Sequence, residues 1–262
     1  MTGTLDAKDV GSGESLPPEG GAAIRVAVAG NGGAGKSVVC GTLARILARR
    51  GRKVLAVDLD PNPGLAWSLG LTPTDAGLPQ EVTAQRQGSL YGWGLAPGVD
   101  ASAGVERFSL EAPDGVRYLS AGKIDGPHHD VQRSLGAVRA LVDATDPSWD
   151  VLGDLEAGTT TAYEGYARFA QRMLVLVTPS WKSALAARRL CGLFPDVPTT
   201  VVGTKFGHQP DHPGLATQLR VPHDPEVIEV ERCGMAPIDA CPDSPVVAAV
   251  DRLADLLTEV RA

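Results

Sequence analysis

The chain has 262 residues, 43% of them hydrophobic but only 5% aromatic, and a net charge of −7. That length allows one large domain or two small ones, with a core built mainly from Val, Leu and Ala. The acidic balance argues against broad electrostatic binding to nucleic acid or stable insertion into a membrane; no apolar run approaches the roughly 18 residues needed to span one.

Residues 1–22 are polar, rich in Gly, Ser and Pro, and carry acids. They lack the basic start and apolar run of a signal peptide and read as a disordered tail. The four cysteines, Cys40, Cys191, Cys233 and Cys241, include no C-x-x-C pair. Cys40 and Cys191 fall in apolar helical contexts and read as buried free thiols, so a reducing, cytoplasmic location is expected.

Regular structure is expected from Ile24. IRVAVA (24–29) is a short apolar run that predicts a buried strand, and residues 36–50 place Val39, Leu43, Ile46 and Leu47 at helical spacing before Gly51. KVLAVDLD (53–60) is a second strand, ending in two aspartates. Strand, helix and strand over this length form a βαβ unit, which requires a parallel sheet. Residues 72–115 show weak periodicity and many Gly, Pro, Gln and Asp residues, and predict a long excursion with little regular structure. Strands are then expected at 116–121, 150–155, 173–178, 199–204 and 219–222, and helices at 131–145, 160–171, 182–194 and 244–261. The expected architecture is one doubly wound, mostly parallel α/β domain over residues 23–262, with helices on both sheet faces.

The stretch Gly30-Asn31-Gly32-Gly33-Ala34-Gly35-Lys36-Ser37 fits G-x-x-x-x-G-K-[ST] and lies after a strand and at the opening of a helix, where that pattern must lie. Its glycines let successive N–H groups turn inward onto phosphate oxygens, and the helix N-terminus adds a favourable dipole. Lys36 reaches the outer phosphates and the Ser37 hydroxyl suits Mg²⁺; Val38, one residue further, completes the nucleotide-holding set. Two acidic elements face this loop. Asp60, in DLDPNPG (58–64), is placed to orient or deprotonate a water, and Asp58 to stand on the magnesium side. Asp154, in VLGDLEAGT (151–159), is the second magnesium-side acid, and Gly158 lets the following loop move when a terminal phosphate is lost. The aspartates at 58 and 60 also suit a plain strand cap.

The glycine loop, DLDPN, D-x-E-A-G, VTPSWKSALAARRL and the tail from Val221 together resemble the deviant-Walker-A ATPases. That group holds the chromosome-partitioning and septum-site ATPases, the nitrogenase iron protein and the ATPases that mature nickel carbon monoxide dehydrogenase, and the last are the most similar. The resemblance covers residues 24–262. It implies a three-layer P-loop fold and a homodimer that closes around two ATP molecules with Mg²⁺ and controls a protein partner. It also implies that Lys36 and Ser37 bind phosphate and Mg²⁺, that Asp60 and Asp154 are the first- and second-switch acids, and that Lys36 and Asp60 carry hydrolysis. Thr204, Lys205 and the VPHDPEV loop (221–227), with Pro222 and Asp224, fall where the family contacts the base; relatives often carry Asn at the position of Thr204.

Three positions depart from the family pattern. The signature lysine that reaches the other subunit's phosphate is Asn31 here, and an amide does not replace that cation. The segment after Asp154 has no thiol for an iron–sulfur cluster, which disfavours a reductase component. The C-x-C pair of the nickel-maturation ATPases is absent from GPHHDVQR (126–133). There His128, His129 and Asp130 suit either a hard-ligand metal site or a solvated helix entry capped by Asp130. Cys233 and Cys241 match no standard metal spacing. The expected function is Mg²⁺-dependent ATP binding and hydrolysis in metallocentre maturation or partner regulation; the alternative is a low-turnover nucleotide switch of the partitioning type.

Overall fold

A computed structural model describes residues 22–62, 64–73, 77–87, 92–122, 131–160 and 162–259. The glycine loop joins β1 (Arg25–Gly30) to α1 (Lys36–Arg49), and β2 (Val54–Leu59) completes the first βαβ unit. Then follow α2 (Leu65–Leu69), the hairpin strands β3 (Thr83–Gln85) and β4 (Trp93–Leu95), α3 (Ala101–Phe108), β5 (Leu110–Glu111) and β6 (Arg117–Ser120). The second half runs α4 (Val131–Asp143), β7 (Asp150–Leu155), β8 (Arg172–Val177), α5 (Trp181–Leu193), β9 (Thr199–Thr204), β10 (Leu219–Val221), α6 (Pro225–Arg232), α7 (Pro237–Ala240) and α8 (Pro245–Thr258).

Eight strands form one sheet in the order β10-β9-β8-β1-β7-β2-β6-β5. All neighbours are parallel except β5, which runs antiparallel to β6 at the edge. Because strand side chains alternate, each central strand feeds two cores. Val26, Val28 and Ala56 pack with α1, α2, α6, α7 and α8, whereas Ala27, Ala29, Leu55 and Val57 pack with α3, α4, α5 and the hairpin. The sheet is therefore apolar on both faces, which is why its strands read as continuous hydrophobic runs. β1 lies between β7 and β8, so the chain leaves in opposite directions on its two sides; the crevice of a doubly wound sheet opens at such a point, beyond the strand C-termini.

The doubly wound, three-layer α/β architecture is the one found, with three local differences. The helix expected over 160–171 is a single π-type turn, Ala162–Tyr166, because Gly165 takes a φ of 92° that no helix continues through. The excursion 72–115 holds more regular structure than its composition predicts: the β3–β4 hairpin, β5 and α3, which Asp100 caps by accepting the Ser102 amide. Its segments are short, so each spans too little sequence to show a period. Helices α6 and α7, unmarked in the sequence reading, occupy the stretch before α8; an Asp224 N-cap followed by Pro225 is the local signal of α6, and Pro237 at the first helical position that of α7. Residues 1–21 and the His128-His129-Asp130 cluster lie outside the described residues. Among those described, no helix is long and apolar enough to cross a membrane.

Candidate nucleotide-binding site

The glycine loop stands at the C-terminal end of β1 and opens α1. Gly33 and Gly35 have φ of 73° and 84°, a region that disfavours side chains, and the turn ends with Gly35 as the N-cap of α1. Between β1 and α1 the Ala34 amide is bonded to the carbonyl of Asn31 at 3.2 Å. The amides of Gly32, Gly33, Gly35, Lys36, Ser37 and Val38 have no acceptor among the described residues. The first turn of α1 carries no acid that would compete for them. This is the arrangement that binds an anion at a helix N-terminus.

Three acids converge on the loop from neighbouring strands. The Ser37 hydroxyl donates to Asp154 Oδ2 at 2.6 Å, while Asp154 Oδ1 is buried with no hydrogen-bond partner. A buried carboxylate oxygen without a partner is costly, and its position beside a phosphate-loop serine matches the Mg²⁺ side of a nucleotide site. The residues present therefore fit the cation: Ser37 and Asp154 would offer hard oxygen ligands, and nucleotide phosphates would supply others. Asp58 is fully buried, and its oxygens accept the Asp60 amide (3.2 Å), the Leu65 amide (3.1 Å) and the Tyr118 hydroxyl (3.2 Å). It ties the Asp60 loop and the start of α2 to the sheet. Asp60 is half-buried and accepts the Asn62 amide at 2.8 Å, the i to i+2 bond of an Asx turn.

Burial pushes the carboxyls of Asp58 and Asp154 upward, Asp154 adds repulsion on Asp58, and Asp60 adds it on both. The Ser37 hydrogen bond and the Lys36 ammonium work against this on Asp154. Lys36 is itself 8% exposed, so a single buried cation faces several acids. Such a cluster is short of positive charge and gains by taking up a divalent ion. The segment after Asp154 is attached directly to the loop: the Gly158 amide donates to the Gly30 carbonyl at 3.0 Å.

Beside the loop lies a cavity of about 180 Å³, lined by Gly33, Val38, Thr204, Lys205, Pro222, His223, Asp224 and residues of α6. Its Val38, Val221 and Val227 walls are apolar and suit a flat base. Thr204, Lys205, Pro222 and Asp224 are thus brought together with the glycine loop. Three of them, however, already spend their polar groups. The buried Thr204 hydroxyl donates to the Ala34 carbonyl (3.0 Å), and the Lys205 ammonium donates to the Gly33 carbonyl (2.8 Å). Asp224 accepts the Glu226 amide and the Ser244 hydroxyl. Thr204 and Lys205 brace the loop's carbonyls, and braced carbonyls leave its amides turned the other way. The sequence reading missed Tyr118, which no motif marks, and Ile228 and Glu231 of α6, which a recognised Asp-Pro helix start at 224–225 would have located.

Among the described residues, no group of three or more His, Cys, Asp or Glu is arranged to hold a metal ion by itself. Cys233 is exposed and Cys241 buried, both as free thiols.

Comparison with known proteins gives a consistent picture. Residues 26–173 match the model of the CobQ/CobB/MinD/ParA nucleotide binding domain. The carbon monoxide dehydrogenase accessory protein CooC of Rhodospirillum rubrum is 29% identical over 191 residues, 66% of this chain and 70% of that protein. An uncharacterized ATP-binding protein of Methanocaldococcus jannaschii is 26% identical over 91% of this chain and 99% of its own length. The septum site-determining protein MinD of Pyrococcus horikoshii, solved with Mg-ADP, superposes with a TM-score of 0.70 over 91% of this chain and 97% of that one, at 17% identity.

Proposed function

The chain belongs to the CobQ/CobB/MinD/ParA nucleotide-binding family, and from that premise we propose that it binds and hydrolyses ATP with Mg²⁺ and uses the cycle to act on a protein partner in metallocentre maturation. The observation that carries this reading is the Ser37–Asp154 pair, with its orphaned buried oxygen, set against a loop of unbonded amides. In the proposed cycle the loop amides and Lys36 hold the outer phosphates, and the apolar pocket beside Val38 and Val227 takes the base. Ser37 and Asp154 would hold Mg²⁺, which when bound would neutralise phosphate charge. Asp60 orients the attacking water. Loss of the terminal phosphate alters the Asp154–Gly158 segment and, through the Gly158–Gly30 bond, the loop itself. The similarity to a carbon monoxide dehydrogenase accessory protein supports the maturation role. A homodimer and a cytoplasmic location belong to the same proposal.

Asn31 favours a second reading, a damped nucleotide switch with little turnover. The amide is half-buried and uncharged where the resemblance calls for a cation. Steady-state phosphate release by the full chain, with and without Mg²⁺, tests both. Strong activation by Asn31→Lys identifies the natural protein as a slow switch. Brisk wild-type turnover removes that reading, and absence of Mg²⁺-dependent ATP binding removes the proposal altogether.

A further inference from the structure

On the sheet face opposite α1, a cavity of about 470 Å³ opens between the β3–β4 hairpin and α4. It shares no lining residue with the nucleotide crevice. Its floor is fixed by close packing: a Cβ on Gly136 of α4 would stand 2.7 Å from the Trp93 carbonyl, so the glycine lets the hairpin settle directly onto the helix. Trp93, Leu95 and Ala140 give the cavity an apolar wall.

Three arginines line the same space. Arg86 is held by a bond from its Nε to the Leu95 carbonyl (3.1 Å), and its two terminal nitrogens have no partner among the described residues. Arg139 gives its Nε to Asp143 (2.8 Å) and one terminal nitrogen to the Gly165 carbonyl (3.1 Å), and its other terminal nitrogen has no partner among the described residues. Arg168 is exposed, and its guanidinium makes no hydrogen bond or ion pair among the described residues. Among the described lining residues Asp143 is the single carboxylate. These described lining residues thus carry a net charge of +2 in a chain whose net charge is −7. Guanidiniums pinned at one end with spare donors at the other are prepared for oxyanions, and the volume falls in the range of small-molecule sites.

We propose that this cavity is a second binding site, for a small organic acid whose apolar body lies against Trp93 and Leu95 and whose oxyanion faces Arg86, Arg139 and Arg168. Binding would bridge the hairpin to α4 and the Gly165 turn, the last two already joined by Arg139.

The probe is 8-anilinonaphthalene-1-sulfonate, a flat aromatic sulfonate, titrated by fluorescence into the full chain with and without Mg–ADP. Saturable binding is expected, unaffected by the nucleotide. The Arg168→Glu variant, changed at an exposed position, should weaken it by about tenfold or more, as expected for loss of a charge-assisted contact. Ala140→Phe should block it by filling the space, with the charges unchanged. Melting curves confirm that both variants fold. Benzoate or phenyl phosphate should displace the dye, and whichever does so more strongly identifies the carboxylate or phosphate as the preferred oxyanion. The proposal is overturned if Arg168→Glu and Ala140→Phe both bind as wild type does, if Mg–ADP expels the dye, if neutral N-phenyl-1-naphthylamine binds as tightly, or if neither acid displaces it.

Discussion

Replacing Asp154 by Asn should make the ligand-free protein more stable and its nucleotide binding weaker. The side chain is about the same size and still accepts the Ser37 hydroxyl, so the change removes a charge with little change in packing. Burial drives the Asp154 carboxyl up to about 6. Its ordinary value is about 3.9, and each pH unit of difference corresponds to about 1.4 kcal/mol. The upper limit is therefore about 3 kcal/mol, and about 1–3 kcal/mol is expected once the neighbouring carboxylates relax. The sign follows from linkage. A carboxyl whose folded value is raised favours the fold fully below the unfolded value and loses that contribution as the pH rises through about 6. The asparagine is neutral throughout, so the variant should gain over the wild type above about pH 6 and show little gain near about pH 4. Urea denaturation of both proteins in EDTA, at several pH values across this window, measures the gain. Calorimetric titration with ATP should show that Mg²⁺ improves wild-type affinity far more than that of the variant. A variant that is less stable than the wild type at about pH 8 without Mg²⁺, or that responds equally to the metal, would refute the view that these acids form a charge cluster awaiting a cation.

Truncating Lys36 to Ala should lower ATP affinity by about tenfold or more, since a charge-assisted phosphate contact contributes at least about 1.5 kcal/mol; unchanged affinity by calorimetry removes Lys36 from the site. Asp60→Ala should spare ATP binding and abolish phosphate release, and retained turnover excludes Asp60 from the mechanism. Tyr118→Phe should leave the fold intact but free one of three bonds holding Asp58, with a loss of about 1 kcal/mol in denaturation experiments; no change would mean that the backbone amides alone fix that carboxylate. On the outer side of α1, Arg45 is 2% exposed and bonds to Asp114, Asp239 and the Leu69 carbonyl. Arg45→Ala should therefore cost about 3 kcal/mol of stability, and a thermal melt within a degree or two of wild type would contradict that estimate.

Much of the fold was legible because its signals are local. The runs DVLGDL and TTVVGT became strands with the boundaries expected, since apolar stretches of that length between turn residues have few other options inside a protein. The phosphate loop was equally legible: its glycines, the start of the helix that follows and the lysine and serine all lie within one short stretch, residues 30–37. The turn at 162–166 was not, because apolar spacing there suits a helix and only the backbone angle at Gly165 breaks it.

Sequence alone thus determined the parallel sheet, the anion-binding loop and the acids at the strand ends, each fixed by neighbours in the chain. Tertiary structure alone decided that Thr204 would brace Ala34, that Tyr118 would hold Asp58, and that Arg86, Arg139 and Arg168 would share one wall. Thr204 and Ala34 are 170 residues apart, and Tyr118 and Asp58 are 60 apart. Contacts over such separations depend on the order in which strands enter the sheet, and no short window of sequence carries that order.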